Sequence, residues 1–300
     1  MSAGRPLLAI TLALVAFATF NVMDTLVKLL AVRLHPVQIA CFVALFALLP
    51  PTIFAVARGR AWRLAPHRWQ PQLVRGVAML IGGVCAFAAY SLLPLATAYA
   101  IAFSQPLVVA ALSRPLLGER VDWRVWIAVV VGFAGVLFIL RPGAGLLGLG
   151  AAMALVNSLC NGFGYAMIRR MENETVESLT LCGQGTIFVG TALLLPWVWQ
   201  TPTPSELGLL VLAGSLCGIA FLIVARAFQL GKAAIVAPFQ YSQILYAIVI
   251  GYLVFGDRPN ADVLIGAAIV IGSGFYILQR ERSGADADGS AALEPPAPAR

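Results

Sequence analysis

Ten apolar stretches, each near the length that crosses a lipid bilayer, follow one another along the 300 residues of the chain. An α-helix crosses a hydrocarbon core of ~30 Å with about 20 apolar residues, and only helices and closed barrels satisfy their backbone polar groups there. The sequence therefore predicts an all-α integral membrane protein with ten transmembrane helices. The stretches are residues 7–32, 38–57, 73–93, 96–117, 124–141, 146–167, 178–199, 206–228, 233–255 and 261–279.

The composition agrees with this prediction and indicates that little of the chain lies in water. Residues are 60% hydrophobic and 11% charged, whereas a typical soluble domain is roughly 25% charged. The first stretch is longer than the apolar part of a signal peptide and contains Asn21, Asp24 and Lys28, so we interpret it as a retained helix. Residues 283–300, rich in Ala, Pro, Gly and Asp, are predicted to be a disordered tail.

The basic residues indicate an orientation. If the N-terminus is cytoplasmic and ten helices alternate, 16 of the 20 Lys and Arg residues fall on the cytoplasmic side. The four that remain on the other side are Lys28, Arg33, Arg141 and Arg258. The positive-inside rule therefore predicts that both termini, and the tail, lie in the cytoplasm. Because the charges cluster at span ends, the net charge of +7 reflects this sorting and does not indicate a nucleic-acid partner.

An internal repeat links the two parts of the chain. Phe103-Ser104-Gln105 is matched 138 residues later by Tyr241-Ser242-Gln243. At the same offset, Leu117-Gly118-Glu119-Arg120 is matched by Phe255-Gly256-Asp257-Arg258 without a gap. Such agreement over several helices indicates a duplicated unit.

The unit holds five helices, which determines how the copies insert. We assign residues 1–143 to a first unit and 144–282 to a second, and Lys28 then aligns with Arg169. Because five is odd, the second unit enters the membrane upside down relative to the first. Inverted repeats are typical of secondary transporters, in which the same motif gates opposite sides; a duplication kept for folding alone is the alternative.

These features carry a family resemblance. A helix with a mid-span proline at Pro106, a Leu-Gly-Glu-Arg end and a Gly-rich closing span resemble the EamA module of the drug/metabolite transporter superfamily, over about residues 7–280. The resemblance implies a ten-helix, two-repeat transporter of the bacterial inner membrane that exports metabolites or amino acids, and it is strongest to the YddG-type aromatic amino-acid exporters. The second half departs from the pattern, since Asp257 replaces Glu119 and Pro238 comes earlier in its helix than Pro106.

Polar side chains near the middle of predicted spans are candidates for a substrate site, because they are expensive in hydrocarbon unless they meet partners or water. Hydrogen bonds between helices are the alternative explanation for each residue taken singly. Tyrosines also form belts at the membrane interface, which is the reading favoured for Tyr90 and one of two for Tyr99. The predicted substrate-binding residues are Asn21, Tyr99, Ser104, Gln105, Asn157, Asn161, Tyr165, Gln240, Tyr241, Gln243 and Tyr246.

A cavity lined by aromatic rings and amides suits a small molecule with an apolar body and a zwitterionic head. The predicted function is therefore export of amino acids, including aromatic and other apolar ones, by alternating access. Carriers of phosphorylated substrates should instead place Lys or Arg in the core. Export of nucleobases or cationic drugs, and a channel-like facilitator, remain open alternatives.

Movement and coupling are assigned to a few residues. Pro106 and Pro238 remove backbone donors and are predicted hinges, while Glu119 and Arg120 are predicted to cap or gate the cytoplasmic side. Asp24 is a candidate proton carrier, although Lys28 one turn further could neutralise it as an i, i+4 pair.

Other functional classes are disfavoured. The two histidines, His35 and His67, lie in loops on opposite sides, and no HExxH or GxSxG motif is present, so an enzyme is not expected. The five cysteines form no metal-ligand spacing and are interpreted as packing residues, so no metal or cofactor is expected either. The expected partners are a small-molecule substrate and the lipid bilayer. The oligomeric state stays open, a monomer included.

Overall fold

A computed structural model describes residues 6–59, 64–105, 148–169, 174–230, 239–240 and 242–269, together with short runs and single residues between 108 and 138, at 171, and between 271 and 279. These residues are helices, turns and connections, without a strand among them. The helices are α1 (Pro6–Leu30), α2 (Pro36–Ala47), α3 (Leu49–Ala57), α4 (Trp69–Leu92), α5 (Leu95–Ala102), α6 (Leu149–Arg169), α7 (Val176–Val198), α8 (Pro204–Leu230) and α9 (Ser242–Ile250). A π-helical turn, Gly251–Phe255, continues α9, and residues 261–269 are again helical.

Five helical segments are long and apolar enough to cross a membrane. They are Leu7–Leu30, Pro36–Ala57, Trp69–Leu92, Glu177–Val198 and Pro204–Val224, which correspond to the first, second, third, seventh and eighth predicted spans. Shorter apolar helices cover Leu149–Gly164, Ser242–Phe255 and Ala261–Ser273. The all-helical, multi-pass architecture is therefore confirmed, whereas the full count of ten helices in two inverted units stays a prediction. The predicted tail, 283–300, lies outside the described residues.

The second span is a helix with a break, which separates α2 from α3. Its start is defined by Pro36 at the first helical positions and by His35, whose Nδ1 accepts a hydrogen bond from the Val37 N–H at 3.3 Å. The break falls at Leu48, just before Pro50 and Pro51, which have no N–H to continue the helical bonding.

Helix α8 lies against α1, α2 and α3 and approaches the break very closely. A Cβ atom built on Gly218 would lie 2.6 Å from the carbonyl oxygen of Ala47 and 2.9 Å from Pro50. Gly214, one turn earlier, has the same relation to Phe46. Small residues four apart let helix backbones touch in membranes, where dispersion and not water exclusion holds helices together.

We therefore predict that Gly218→Ala lowers the apparent unfolding temperature in detergent micelles. The new methyl group meets backbone, which cannot swing away, and overpacking of this kind costs about 1–3 kcal/mol. Gly208→Ala is the matched control on the same helix, because a Cβ there meets nothing within 4 Å. Its unfolding temperature should stay unchanged or rise, since alanine is the better helix former. Equal effects of the two substitutions would contradict the close contact.

A carboxylate ties together two connections on one side of the bundle. Glu174 accepts hydrogen bonds from the backbone N–H of His67 at 3.1 Å and of Arg68 at 2.7 Å, and from the Ser178 hydroxyl at 3.2 Å. Partial burial alone would raise the pKa of the Glu174 carboxyl, but these donors outweigh it and hold the pKa below its ordinary value. The carboxylate thus fixes the start of α4 against the start of α7.

The lowered pKa gives stability a pH dependence that Glu174→Gln should remove. A group whose pKa falls on folding contributes stability above its unfolded pKa, near 4.5, and loses it as the pH drops through the lower folded value. We expect the variant to be less stable by about 1–2 kcal/mol at pH 7, a partly exposed case of charged hydrogen bonding. The gap in unfolding temperature should close towards pH 3; a gap that is constant with pH would show that only packing was changed.

Candidate functional site

A buried carboxylate, Asp24, lies near the end of α1. Its residue is 5% exposed, and its Oδ2 accepts a hydrogen bond from the hydroxyl of Tyr99, on α5. The hydroxyl of Tyr90, on α4, faces the same carboxylate, and the buried thiol of Cys217 on α8 is close enough to interact with it electrostatically. Four helices therefore meet around one acidic side chain.

Aromatic rings form a row next to this carboxylate. The ring centroids of Phe87 and Tyr90 are 6.2 Å apart, those of Tyr90 and Tyr99 are 6.0 Å apart, and those of Tyr99 and Phe103 are 6.0 Å apart. Tyr90 is 7% exposed, so its assignment to an interface belt is wrong: its ring is packed between two helices. Tyr99, 4% exposed, likewise lies inside the bundle and not at a lipid interface.

Lys28 does not neutralise Asp24, contrary to the i, i+4 prediction. Its Nζ instead donates to Oδ2 of Asp257 at 2.7 Å and lies 4.4 Å from the centroid of the Phe255 ring. Asp257 follows the left-handed residue Gly256, which ends the π-helical turn at φ 68° and brings the carboxylate back over α1. This Lys28–Asp257 pair joins α1 to the segment after α9 and lies one helical turn beyond Asp24.

Ser104 lies in a break of its helix. Helix α5 ends at Ala102, and a turn at Phe103 and Ser104 follows before helical backbone resumes at Gln105. The Ser104 hydroxyl bonds back to the carbonyl of Ile101 at 2.8 Å and is 2.7 Å from the hydroxyl of Ser158 on α6. A serine that takes a backbone carbonyl competes with the helix for it.

The matching position of the second repeat has the same local bond. Ser242 Oγ donates to the carbonyl of Phe239 at 2.6 Å, again three residues back, at the start of α9. Ser104 with Ile101 and Ser242 with Phe239 are separated by the 138 residues of the sequence repeat. The two segments singled out in the sequence therefore begin their helices with the same hydrogen bond.

Three predicted asparagines lie on α1 and α6, where Asn21 and Asn157 are buried and Asn161 is partly buried. Asn161 Nδ2 donates to Oδ1 of Asn157 at 2.5 Å, so these two residues, one helical turn apart, share a helix face. The pair faces α4, where a Cβ on Gly82 would lie 3.4 Å from the Asn161 oxygen. Asn21 is 0% exposed; its Nδ2 donates to the Phe17 carbonyl at 3.1 Å, but its Oδ1 has no hydrogen-bond partner among the residues that the structure describes.

The glutamines and the last tyrosine occupy three surroundings. Gln105 is partly buried, and its backbone carbonyl lies so close to α6 that a Cβ on Gly162 would approach it to 3.2 Å. Gln243 is 8% exposed on α9, which packs between α1 and α5. Tyr246 packs with Phe17 of α1, and Gln240 lies half-buried in the turn before α9.

Some predicted residues lie outside what the structure describes. For Tyr165 this concerns the side chain alone, since its backbone continues α6. The others are Tyr241, Pro106, Pro238, Glu119 and Arg120. Their predicted roles as binding, hinge or gating residues stay predictions.

One cavity among the described residues lies away from this cluster. It has a volume of about 390 Å³, opens widely to the outside and lies between α4 and α6. None of the predicted site residues lines it, and its walls are almost wholly apolar, formed by Val74, Val77, Ala78, Ile81, Leu159, Cys160 and Phe163. Such a groove on the lipid-facing side of two helices offers a surface to acyl chains and no hydrogen-bonding partner for a polar solute.

Reasoning from the sequence missed three participants. Ser158 lies beside Asn157 but has no distinctive spacing, Tyr90 was assigned to the interface, and Asp257 was considered only as the counterpart of Glu119. The alignment of the two repeats was the available signal. It matches Lys28 with Arg169 and Glu119 with Asp257, so each unit carries one basic and one acidic residue at equivalent positions. Within the described ranges no three His, Cys, Asp or Glu side chains group as metal ligands.

Comparison with known proteins decides the family. The model of the EamA-like transporter family matches residues 7–141 and again residues 148–279. The chain belongs to this family. It is thus a multi-pass membrane transporter, in agreement with the resemblance read from its sequence.

Relatives within and around the EamA-like family carry different solutes. An S-adenosylmethionine uptake transporter of Rickettsia bellii is 26% identical over 90% of this chain and 92% of its own. A riboflavin transporter of Rhizobium johnstonii is 28% identical over 79% and 78%, and a pseudopaline exporter of Pseudomonas aeruginosa is 28% identical over 87% and 93%. A crystal structure with 19% identity has the same fold, with a TM-score of 0.63 over 91% of this chain and 98% of that one. The named relatives do not single out the YddG-type exporters, so that finer similarity stays a prediction.

Proposed function

We propose that this EamA-like protein is a secondary transporter of small amino-acid-like metabolites that moves them by alternating access. The observation that carries the proposal is the buried polar group inside an apolar bundle: the Asp24 carboxylate with two tyrosine hydroxyls lies beside a row of rings, and further amides lie on α1 and α6. Rings hold an apolar body, while amides, hydroxyls and a carboxylate hold a zwitterionic head.

The solutes named for the relatives support this class without selecting one member. S-adenosylmethionine is an amino-acid derivative with an aromatic base, and riboflavin is a polar molecule with a large aromatic ring system. One relative is named for uptake and another for export, so the direction here should follow the gradients of substrate and coupling ion. Export of aromatic and apolar amino acids from the bacterial cytoplasm is the specific form that we propose.

Alternating access is supported by the repeat. The Lys28–Asp257 pair connects a base of the first unit with an acid of the second, and its sequence equivalents are Arg169 and Glu119. If the units are inverted, these two pairs belong to opposite sides of the membrane, so one can close while the other is open. Glu119 and the side chain of Arg169 lie outside the described residues, so this second pair rests on the sequence alignment.

Counterflow into proteoliposomes tests the proposal. The purified full-length chain is loaded with unlabelled solute, and uptake of labelled phenylalanine, tryptophan, S-adenosylmethionine, riboflavin, adenine and a cationic dye is measured with and without a pH gradient. We expect saturable uptake of the amino acids that is accelerated by internal substrate. Uptake that neither saturates nor responds to internal substrate would favour a channel-like facilitator, and movement of the dye alone would contradict the substrate class.

A further inference from the structure

The charge on Asp24 has no cationic partner in the part of the chain that the structure describes. Among the described residues, no Lys, Arg or His nitrogen lies within 4.0 Å of its carboxylate, and Lys28, the nearest basic residue along α1, is held by Asp257. A buried carboxylate needs a proton, a counter-cation or several hydrogen-bond donors. The Tyr99 and Tyr90 hydroxyls supply donors but no positive charge.

A second acceptor on the same face of α1 is also short of a donor. Asn21 precedes Asp24 by three residues, a spacing that puts two side chains side by side on a helix, about 5–6 Å apart at Cβ. Its Oδ1 is buried and finds no hydrogen-bond partner within the described part of the chain. A carboxylate and an amide carbonyl together form an acceptor pair that a group with both positive charge and N–H donors would satisfy.

The rings beside these acceptors favour the same kind of group. The ring centroids of Tyr90, Tyr99 and Phe103 follow one another at 6.0 Å, and aromatic rings attract a cation that reaches one of their faces, more strongly where water is excluded. An anion placed here would meet the carboxylate and the negative ring faces at once. The surroundings thus select for positive charge and against negative charge.

From this geometry we propose that Asp24 and Asn21 bind the ammonium group of the substrate, and that a proton takes its place on Asp24 when the substrate leaves. The proposal rests on the transporter function proposed above and names the part of the substrate that this end of the site holds. The carboxylate accepts either a proton from water or the ammonium group, so loading the substrate releases one proton. Because the proton and the ammonium group cannot occupy Asp24 together, substrate movement in one direction is coupled to proton movement in the opposite direction.

The groups that face Asp24 permit this exchange. Helix α4 contributes Tyr90, α5 contributes Tyr99 and α8 contributes the thiol of Cys217, none of which is positively charged. Helix α9 places Tyr246 against α1 two turns away, next to Phe17. The pair of Lys28 and Asp257, one turn beyond, is internally neutral and remains so while Asp24 changes its charge.

The test uses three probes that share a phenyl ring: phenethylammonium, its N,N,N-trimethyl analogue and 3-phenylpropionate. Binding to the full-length protein in lipid nanodiscs is measured by calorimetry, and released protons by a pH-indicator dye in weak, mildly acidic buffer, in which the empty carboxyl carries its proton. We expect phenethylammonium to bind with release of about one proton per site, the trimethyl analogue to bind roughly tenfold more weakly because it has no N–H donors, and the anion not to bind.

Asp24→Asn should abolish proton release and weaken phenethylammonium at least roughly tenfold, a loss typical of a buried charge-assisted hydrogen bond. Asp24→Glu keeps the carboxyl group and should keep proton release. This variant tests the role of the carboxyl group if the asparagine variant fails to fold. Binding without proton release, or binding unchanged in Asp24→Asn, overturns the proposal, as does failure of all cationic probes to bind. Counterflow of amino acids that survives in Asp24→Asn would overturn this inference and leave the transporter function intact.

Discussion

Removing either charge of the Lys28–Asp257 pair is expected to reduce transport strongly, and exchanging the two charges is expected to restore much of it. The side chains are only 15% and 28% exposed, so Lys28→Met or Asp257→Leu leaves a poorly hydrated partner unpaired. Breaking a fully buried pair costs about 3–5 kcal/mol; at this exposure we expect about 1–3 kcal/mol, which is roughly a 5- to 150-fold change in a conformational equilibrium. The conformation that is closed at this end of the bundle would be destabilised by that amount.

Counterflow rates in proteoliposomes measure the loss, and the double exchange Lys28→Asp with Asp257→Lys measures the recovery. The matched control is a second ion pair just beyond the same end of α1, between Arg33 and Glu206, where the Arg33 side chain is 48% exposed. Exposed pairs contribute little, so Arg33→Gln should transport at nearly the wild-type rate. Equal losses in the control and the test variants would mean that any charge at this end matters, and that the pair has no special role.

The rate at which the Cys217 thiol is labelled is an independent measure of closure at this end of the bundle. Cys217 is 5% exposed on α8, which packs along α1, and its thiol interacts electrostatically with Asp24. In a background with Cys41, Cys85, Cys160 and Cys182 replaced by alanine, a membrane-impermeant maleimide should label Cys217 slowly, and faster once Lys28→Met is added. Identical labelling rates would show that the pair does not control access.

Replacing Gln243 by leucine is expected to remove most transport while leaving the protein folded. Gln243 is 8% exposed between α1 and α5, and the described residues give its amide no hydrogen-bond partner. Leucine has similar volume, so packing is kept, whereas a hydrogen bond to the substrate would be lost, a change of about 1–3 kcal/mol if the substrate group is left unpaired. The same reasoning applies to Gln105→Leu at the equivalent position of the first repeat.

Gln38 provides the matched control, since it is a buried glutamine with a structural task. Its Nε2 donates to the carbonyl of Gln200 at 2.6 Å, and its Oε1 accepts from the Gln200 N–H at 2.9 Å. Gln38→Leu should therefore lower the unfolding temperature. Gln243→Leu should lower the counterflow rate and leave the unfolding temperature unchanged; the reverse result for Gln243 would make it a helix-to-helix contact.

The helices were predictable because the bilayer imposes a length and an apolar composition on every crossing. The first span was expected at residues 7–32 and is found at Leu7–Leu30, and the eighth at residues 206–228 is found at Pro204–Val224. The turn at Ser104 could also be anticipated, because a serine and a proline in one apolar helix both disturb its bonding. These properties depend on residues that are close together in the sequence, so they can be predicted from it.

The partners of the charged and aromatic residues could not be predicted in this way. Lys28 and Asp257 are 229 residues apart, and a purely local rule offered Asp24 as the partner instead. Tyr90 near a span end has the sequence pattern of an interface residue, but Tyr99 and Phe87 cover its ring. Both outcomes depend on which helices become neighbours, and helices embedded in lipid carry little information on this in their apolar pattern.

The unpartnered carbonyl of Asn21 also bears on how easily the bundle changes shape. A buried acceptor without a donor costs about 1–3 kcal/mol, and this cost falls only on the conformation that excludes both water and substrate. The empty, closed arrangement is thereby kept from becoming a deep energy minimum. Conformations of one protein that differ by only a few kcal/mol remain populated together. A single unsatisfied oxygen therefore helps to keep an open conformation populated beside the closed, empty one.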